Sequence, residues 1–157
     1  MTVPPTPQSS DTESHPPQAT MEALKGMVRA MPMARTLGLR FVHAEPGRVE
    51  VEIPVSEAFS FRPGQLQATA VFAVAAAGSV LPPGWTNATV DTTLKIVAPA
   101  QGECLRARGR VVDAGRLLTV CAADVWAVDA AGQERLCATL LATARNIDTG
   151  APRPPRG

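Results

Sequence analysis

The residues whose types could do chemistry gather at the two ends of one uncharged stretch, since no Lys, Arg, Asp or Glu lies between Arg62 and Asp91. Near its start, Gln67, Ala68 and Thr69 open a helix-forming run. Backbone N–H groups at a helix start are unpaired and carry partial positive charge, so the Gln67 amide beside the N–H groups of Ala68 and Thr69 could hold a developing oxyanion. The same position equally suits a cap or a buried, hydrogen-bonded amide. At the other end, strand alternation puts Thr89 and Asp91 on one face. Asp91 is the carboxylate nearest in sequence to the stretch, which makes it the first candidate general base, against the commoner role of a solvent-facing strand Asp. Glu57, in the preceding loop, is the second. Arg106, Arg108 and Arg110 share a strand face and Arg116 follows at the next turn; such a row binds phosphates or is simply a solvated side.

The elements that must position these groups are legible in the pattern. Residues 66–81 are Ala-rich and apolar nearly all round, and Pro82-Pro83-Gly84 stops them. A helix apolar on every side is buried on every side. A membrane span needs about 20 apolar residues, and this run is shorter and interrupted by Gln67, Thr69 and Ser79, so it reads as the central helix of a soluble domain. Thr69, Ala73, Ala76 and Val80 form a small-residue stripe on it, suited to close packing or to room for a chain-like ligand.

Ahead of that helix, Thr20 caps a short helix over 21–31, with Ala23, Leu24, Met27, Val28 and Met31 along one face. Pro32 ends or kinks it, and a further turn covers 33–37. Strands follow at 39–44 and 49–55, the second alternating strictly, with Pro46-Gly47 between them and a loop over 56–65. Behind the helix come strands at 87–97, 103–112, 117–128 and 135–147, with turns at 99–102, 113–115 and 129–132. Their hairpin-length connections predict antiparallel pairing. The fold class is α+β, an antiparallel sheet of about six strands wrapped around one long central helix. Such a sheet leaves a face and edges open, which predicts self-association.

Composition narrows the function classes. A formal net charge of +1, six aromatic residues and no basic run give no footprint for nucleic acid. Cys104, Cys121 and Cys137 are odd in number and lack metal-ligand spacing, which predicts free thiols in a reducing cytoplasm and no metal. Of two histidines, His15 lies in a tail and His43 on a strand surface. Residues 1–20 and 149–157 are Pro-rich and read as disordered tails around a domain at 21–148.

Over most of residues 33–147 the sequence resembles the hotdog thioesterase superfamily, of the phenylacetate-degradation (PaaI-like) acyl-coenzyme A type. Met33-Ala34-Arg35-Thr36-Leu37-Gly38-Leu39 is similar to that family's lead into its first strand, and Gly64-Gln65-Leu66-Gln67-Ala68-Thr69-Ala70 to the start of its central helix. Thr89-Val90-Asp91-Thr92-Thr93-Leu94-Lys95-Ile96-Val97-Ala98-Pro99-Ala100 resembles its third strand and the following turn, and Gly109-Arg110-Val111 with Asp113-Ala114-Gly115-Arg116 its next hairpin. The resemblance implies hydrolysis of an acyl-coenzyme A thioester at the seam of a homodimer or homotetramer, without a cofactor. It places Thr89 near the substrate. Of the arginines, Arg110 and Arg116 are the candidates for the coenzyme A phosphates, against the solvated strand side.

The departures fall at the reacting groups. Gln67, Ala68 and Thr69 stand at the family's His-Gly-Gly positions, Ala76 at the position of the catalytic acid, and Phe61 in the preceding loop where many relatives carry Asn. Two functions follow. One is a thioesterase in which Gln67 and helix N–H groups polarise the carbonyl while Asp91 or Thr89 serves the water. The other is a catalytically inactive hotdog protein, an acyl- or coenzyme A-binding or structural subunit. A hotdog hydratase ranks last, for want of a site His with an acidic partner.

Overall fold

The computed structural model describes residues 18–62, 65–66 and 85–148. The predicted central helix and both outer tails lie outside these residues, except that α1 (Gln18–Ala30) begins two residues before the expected Thr20 cap. Its inward side is Met21, Leu24 and Val28, while Met27 and Met31 are exposed, so the apolar face is rotated from the predicted one. Pro32 opens α2 (Pro32–Thr36) at a first-turn position, where its missing N–H costs nothing.

The strands follow as β1 (Arg40–Glu45), β2 (Arg48–Pro54), β3 (Ser60–Arg62), β4 (Gln65–Leu66), β5 (Trp85–Ile96), β6 (Ala100–Gln101), β7 (Cys104–Ala114), β8 (Leu118–Val128) and β9 (Glu134–Asp148). Six of them form one antiparallel sheet in the order β1-β2-β7-β8-β9-β5, matching the predicted strands closely. The fold is α+β, a six-stranded antiparallel sheet with a few short helices.

Three expectations change. First, the chain from 60 to 66 is not all loop, and Leu66 does not begin a helix. Ser60–Arg62 pairs with Gln65–Leu66, which pairs in turn with Ala100–Gln101, giving a small second sheet in the order β3-β4-β6. Phe61 is therefore a strand residue. Second, the stretch at 99–102 is not a hairpin turn. Among the described residues β5 pairs with β9 alone and sits at the sheet edge, so the chain from 97 to 103 crosses the end of the sheet to reach β7 beside β2. Hydrogen bonds from Val97 N and Ala98 N to the Cys137 carbonyl, and from Arg135 Nη2 to the Pro99 carbonyl, tie the crossing down. Gly102 passes so close to Val128 that a Cβ there would run into the Val128 carbonyl, which accepts from Glu103 N at 2.8 Å.

The third change concerns alternation, which holds along β2 but breaks within β5, where the register shifts between Thr89 and Asp91. Cross-strand partners share a face, and register assigns every residue to one of two. Val49, Val51, Ile53, Leu105, Ala107, Val125, Ala138, Leu140, Ala142 and Ala144 make the buried face. Glu50, Glu52, Arg106, Arg108, Asp124 and Thr139 lie on the other, open face. Small residues dominate the buried side of β8 and β9, where Ala123, Ala127, Ala138, Ala142 and Ala144 allow whatever packs there a close approach.

Candidate active site

Edge strand β5 carries two of the sequence-predicted residues, Thr89 and Asp91. Thr89 pairs with Ala144, which is 1% exposed, so Thr89 is on the side of the sheet that Ala144 buries, itself exposed at the edge. Asp91 pairs with Thr143, the next residue of β9, and is on the open face. Val90 is the extra residue between them, a β-bulge that reverses the alternation. Thr89 and Asp91 thus do not share a face, and no substrate bound on the Thr89 side meets the Asp91 carboxylate of the same strand. This corrects the shared face of the two residues, because the alternation that joined them breaks at Val90.

Beside Thr89 stands a polar group the sequence reading missed. Asn87 pairs with Asn146 across β5 and β9. Thr119, fully buried, donates to Asn146 Oδ1 at 2.9 Å, and Asn146 Nδ2 donates to the Gly115 carbonyl at 2.8 Å. Asn87 Nδ2 is buried without a hydrogen-bond partner. The side of β5 that continues the buried face of β9 is polar in its first half, with Asn87, Thr89 and Thr92, and apolar in its second, with Leu94 and Ile96, and much of it is exposed. Asn87 begins the alternating run, and its partner at Asn146 lies nearly sixty positions away, beyond the reach of a local pattern. A strand that is polar then apolar on one face can hold a ligand with a polar and an apolar end.

The arginines separate into two kinds. Arg106 is held by Glu52, with Nε to Oε1 at 2.8 Å, and by Glu134 at 2.6 Å. Arg108 makes two hydrogen bonds to Glu134, at 2.8 and 2.7 Å, and stacks 4.5 Å over the Trp126 ring. These bonds raise both guanidinium pKa values against the opposing effect of burial. Arg106 and Arg108 are thus neutralised on the spot. Arg110 and Arg116 are exposed and make no ion pair among the described residues, but they are not brought together: Arg110 is on the open face of β7 and Arg116 in the turn before β8.

The remaining candidates are quickly placed. Gln67, Ala68, Thr69 and Ala76 lie outside the described residues. Glu57 is exposed in the turn Glu57–Phe59, where Ala58 N donates to Ser56 Oγ at 3.3 Å. His43 is exposed, 3.5 Å from Glu45. Cys121 and Cys137 are buried and donate to the carbonyls of Ala142 and Val125, and burial pushes both thiols up. Cys104 is only half-buried. Among the described residues no group of three or more His, Cys, Asp or Glu could hold a metal ion, and no helix is long and apolar enough to cross a membrane.

Sheet order, edge strand and element order together define a class, the hotdog fold, and the comparisons agree. A thioesterase family protein from Silicibacter pomeroyi is 31% identical, with a TM-score of 0.77 over 84% of this chain and 99% of that one. A phenylacetic acid degradation-related protein from Ralstonia eutropha JMP134 is 25% identical, with a TM-score of 0.65 over 78% of this chain and 98% of that one. The PaaI protein of the E. coli phenylacetic acid degradation operon, at 17% identity and a TM-score of 0.68 over 83% of this chain and 94% of that one, shares the fold. No protein-family model matches the chain, and no curated protein does. The chain belongs to the hotdog thioesterase superfamily.

Proposed function

We propose that this protein hydrolyses an acyl-coenzyme A thioester at a seam between two subunits. The observation that carries the reading is the 31% identity to a thioesterase family protein across 99% of that protein's length. Edge strand β5 supports the seam. Among the described residues it pairs only with β9, and its other side offers N–H and C=O groups that a second copy of β5 would pair. On this reading the acyl carbonyl meets the polar half of β5 at Asn87 and Thr89, with Gln67, Ala68 and Thr69, expected from the sequence to open a helix, as the further donors. Leu94 and Ile96 offer apolar surface to the acyl group, and Arg116 at its turn meets the coenzyme A phosphates. Three unpaired thiols suit the cytoplasm, where such thioesters are made.

A specific observation favours the second reading. With Asp91 on the open face and no carboxylate between residues 63 and 90, nothing in that region replaces the acid missing at Ala76. The protein on this reading binds acyl-coenzyme A without turning it over. A thiol-release assay across short, long and aryl acyl-coenzyme A substrates separates the two. Coenzyme release abolished by Gln67→Ala supports hydrolysis. Tight binding with no release from any substrate establishes the inactive subunit, and in that case Ala76→Asp should raise activity.

A further inference from the structure

Among the described residues, Asn87 Nδ2 is the one buried side-chain nitrogen or oxygen that no hydrogen bond meets. Native chains keep few such groups, because each has left water and gained nothing in exchange. Its neighbours, by contrast, are provided for. Asn146, opposite it on β9, is 9% exposed, accepts from Thr119 at Oδ1 and donates from Nδ2 to the Gly115 carbonyl. The Asn146 backbone N donates as well, to the Leu117 carbonyl at 2.9 Å. Asn146 therefore grips the turn that carries Arg116 on both sides of that residue, and it stands between the turn and Asn87.

Position along the strand gives the unpaired donor its occupant. Asn87 and Thr89 lie on one side of β5, two residues and so about 7 Å apart, and Leu94 and Ile96 follow beyond Thr89 on that side. The turn at Arg116 is two strand spacings, about 10 Å, in from Asn87. A thioester whose acyl group lies on Leu94 and Ile96 and whose carbonyl is at Thr89 runs its thiol side past Asn87 toward Arg116. We propose that Asn87 is a specificity-determining residue that reads this thiol side. Its Nδ2 donates to an amide carbonyl in the arm that follows the sulfur, and Asn146 is the positioning residue that holds the Arg116 turn in register with it. The inference rests on the thioester reading above and adds to it which half of the substrate the polar end of β5 recognises.

The amide is within a ligand's reach. Asn87 is half-buried on an edge strand, and the terminal torsion of an Asn side chain is soft, so the group turns to an incoming acceptor at little cost. A thiol arm with an amide pairs the donor, whereas an alkyl arm of the same length leaves it unpaired. Sites discriminate in this way when a polar group is satisfied by the right ligand alone.

Octanoyl and phenylacetyl thioesters of N-acetylcysteamine, which has an amide two carbons from the sulfur, and of 1-pentanethiol, which has the same chain length without one, test this on the full chain. Wild type should favour the amide-bearing thiol in kcat/KM by about 3- to 10-fold, the worth of one hydrogen bond. Asn87→Ala should bring the two thiols level while the preference between the two acyl groups stays as it was. Since that change strands no partner, its thermal midpoint should match or exceed that of wild type. Equal rates for the two thiols in wild type, or an equal loss for both in Asn87→Ala, would overturn the proposal. Should neither thioester be cleaved, the hydrolysis reading falls and saturation-transfer NMR with the same pair still decides: tighter binding of the amide-bearing thioester that Asn87→Ala removes supports the role of Asn87, and equal binding overturns it.

Discussion

Thr89 and Asp91 stand two residues apart on β5 and face opposite sides of the sheet, because Val90 bulges between them. Activity should therefore follow Thr89 and not Asp91. A positioned general base supplies about 10²- to 10⁴-fold, so Asp91→Asn, which removes no such base, is expected to keep kcat within about twofold of wild type. Thr89→Val, which takes a hydroxyl from the buried face next to Asn87, should lower it. Thiol release on purified variants reads both, and a large loss in Asp91→Asn alone would return the base to the open face.

At the other end of the uncharged stretch, Gln67 is expected to act on the carbonyl and not on the fold. Losing one oxyanion donor typically costs about 10²- to 10³-fold in kcat, so Gln67→Ala should fall in that range with little change in thermal midpoint. A drop in midpoint with kcat preserved would show instead that Gln67 caps its helix or serves as a buried, hydrogen-bonded amide.

The contrast between these residues reflects what a sequence can carry. Strict alternation at Val49, Val51 and Ile53 is a local signal, and the structure keeps it on β2. The same signal on β5 fails at Val90, because a bulge is set by pairing with β9, more than fifty residues later. Asn87 and Asn146 meet for the same nonlocal reason. The crossing from β5 to β7 has a length that permits a hairpin; the distant pairings of β5 with β9, β7 with β2 and Ala100–Gln101 with Gln65–Leu66 show where the chain goes. The Arg row illustrates the reverse case. Its shared face was visible from period-two spacing, whereas its neutralisation depends on Glu134, a distant residue placed at the start of β9.

Gly102 is the point in that crossing where backbone meets backbone. A Cβ there collides with the Val128 carbonyl and not with a side chain that could swing away. Gly102→Ala should therefore destabilise the fold by about 1–3 kcal/mol, the usual cost of overpacking. Urea unfolding should show a lower midpoint, whereas Gly26→Ala in α1, with open space around it, should not lose stability.

Glu134 gives the open-face network a pH dependence of definite sign. Hydrogen bonds from Arg108, with Arg106 adding to them, hold its carboxyl below the usual value against the opposing effect of burial. A carboxylate whose pKa is lower in the folded chain stabilises the fold fully above its unfolded pKa, about 4.3 for Glu. That contribution fades as pH falls through the lower folded value. The effect is modest, since the Glu134 side chain is 25% exposed and solvent screens the pair. Wild type should therefore have a higher urea midpoint than Glu134→Gln at neutral pH, and the two curves should converge on acidification below the ordinary carboxylate range. Divergence in acid would mean that Glu134 is stabilised in its protonated form, contrary to its bonds to two guanidinium groups.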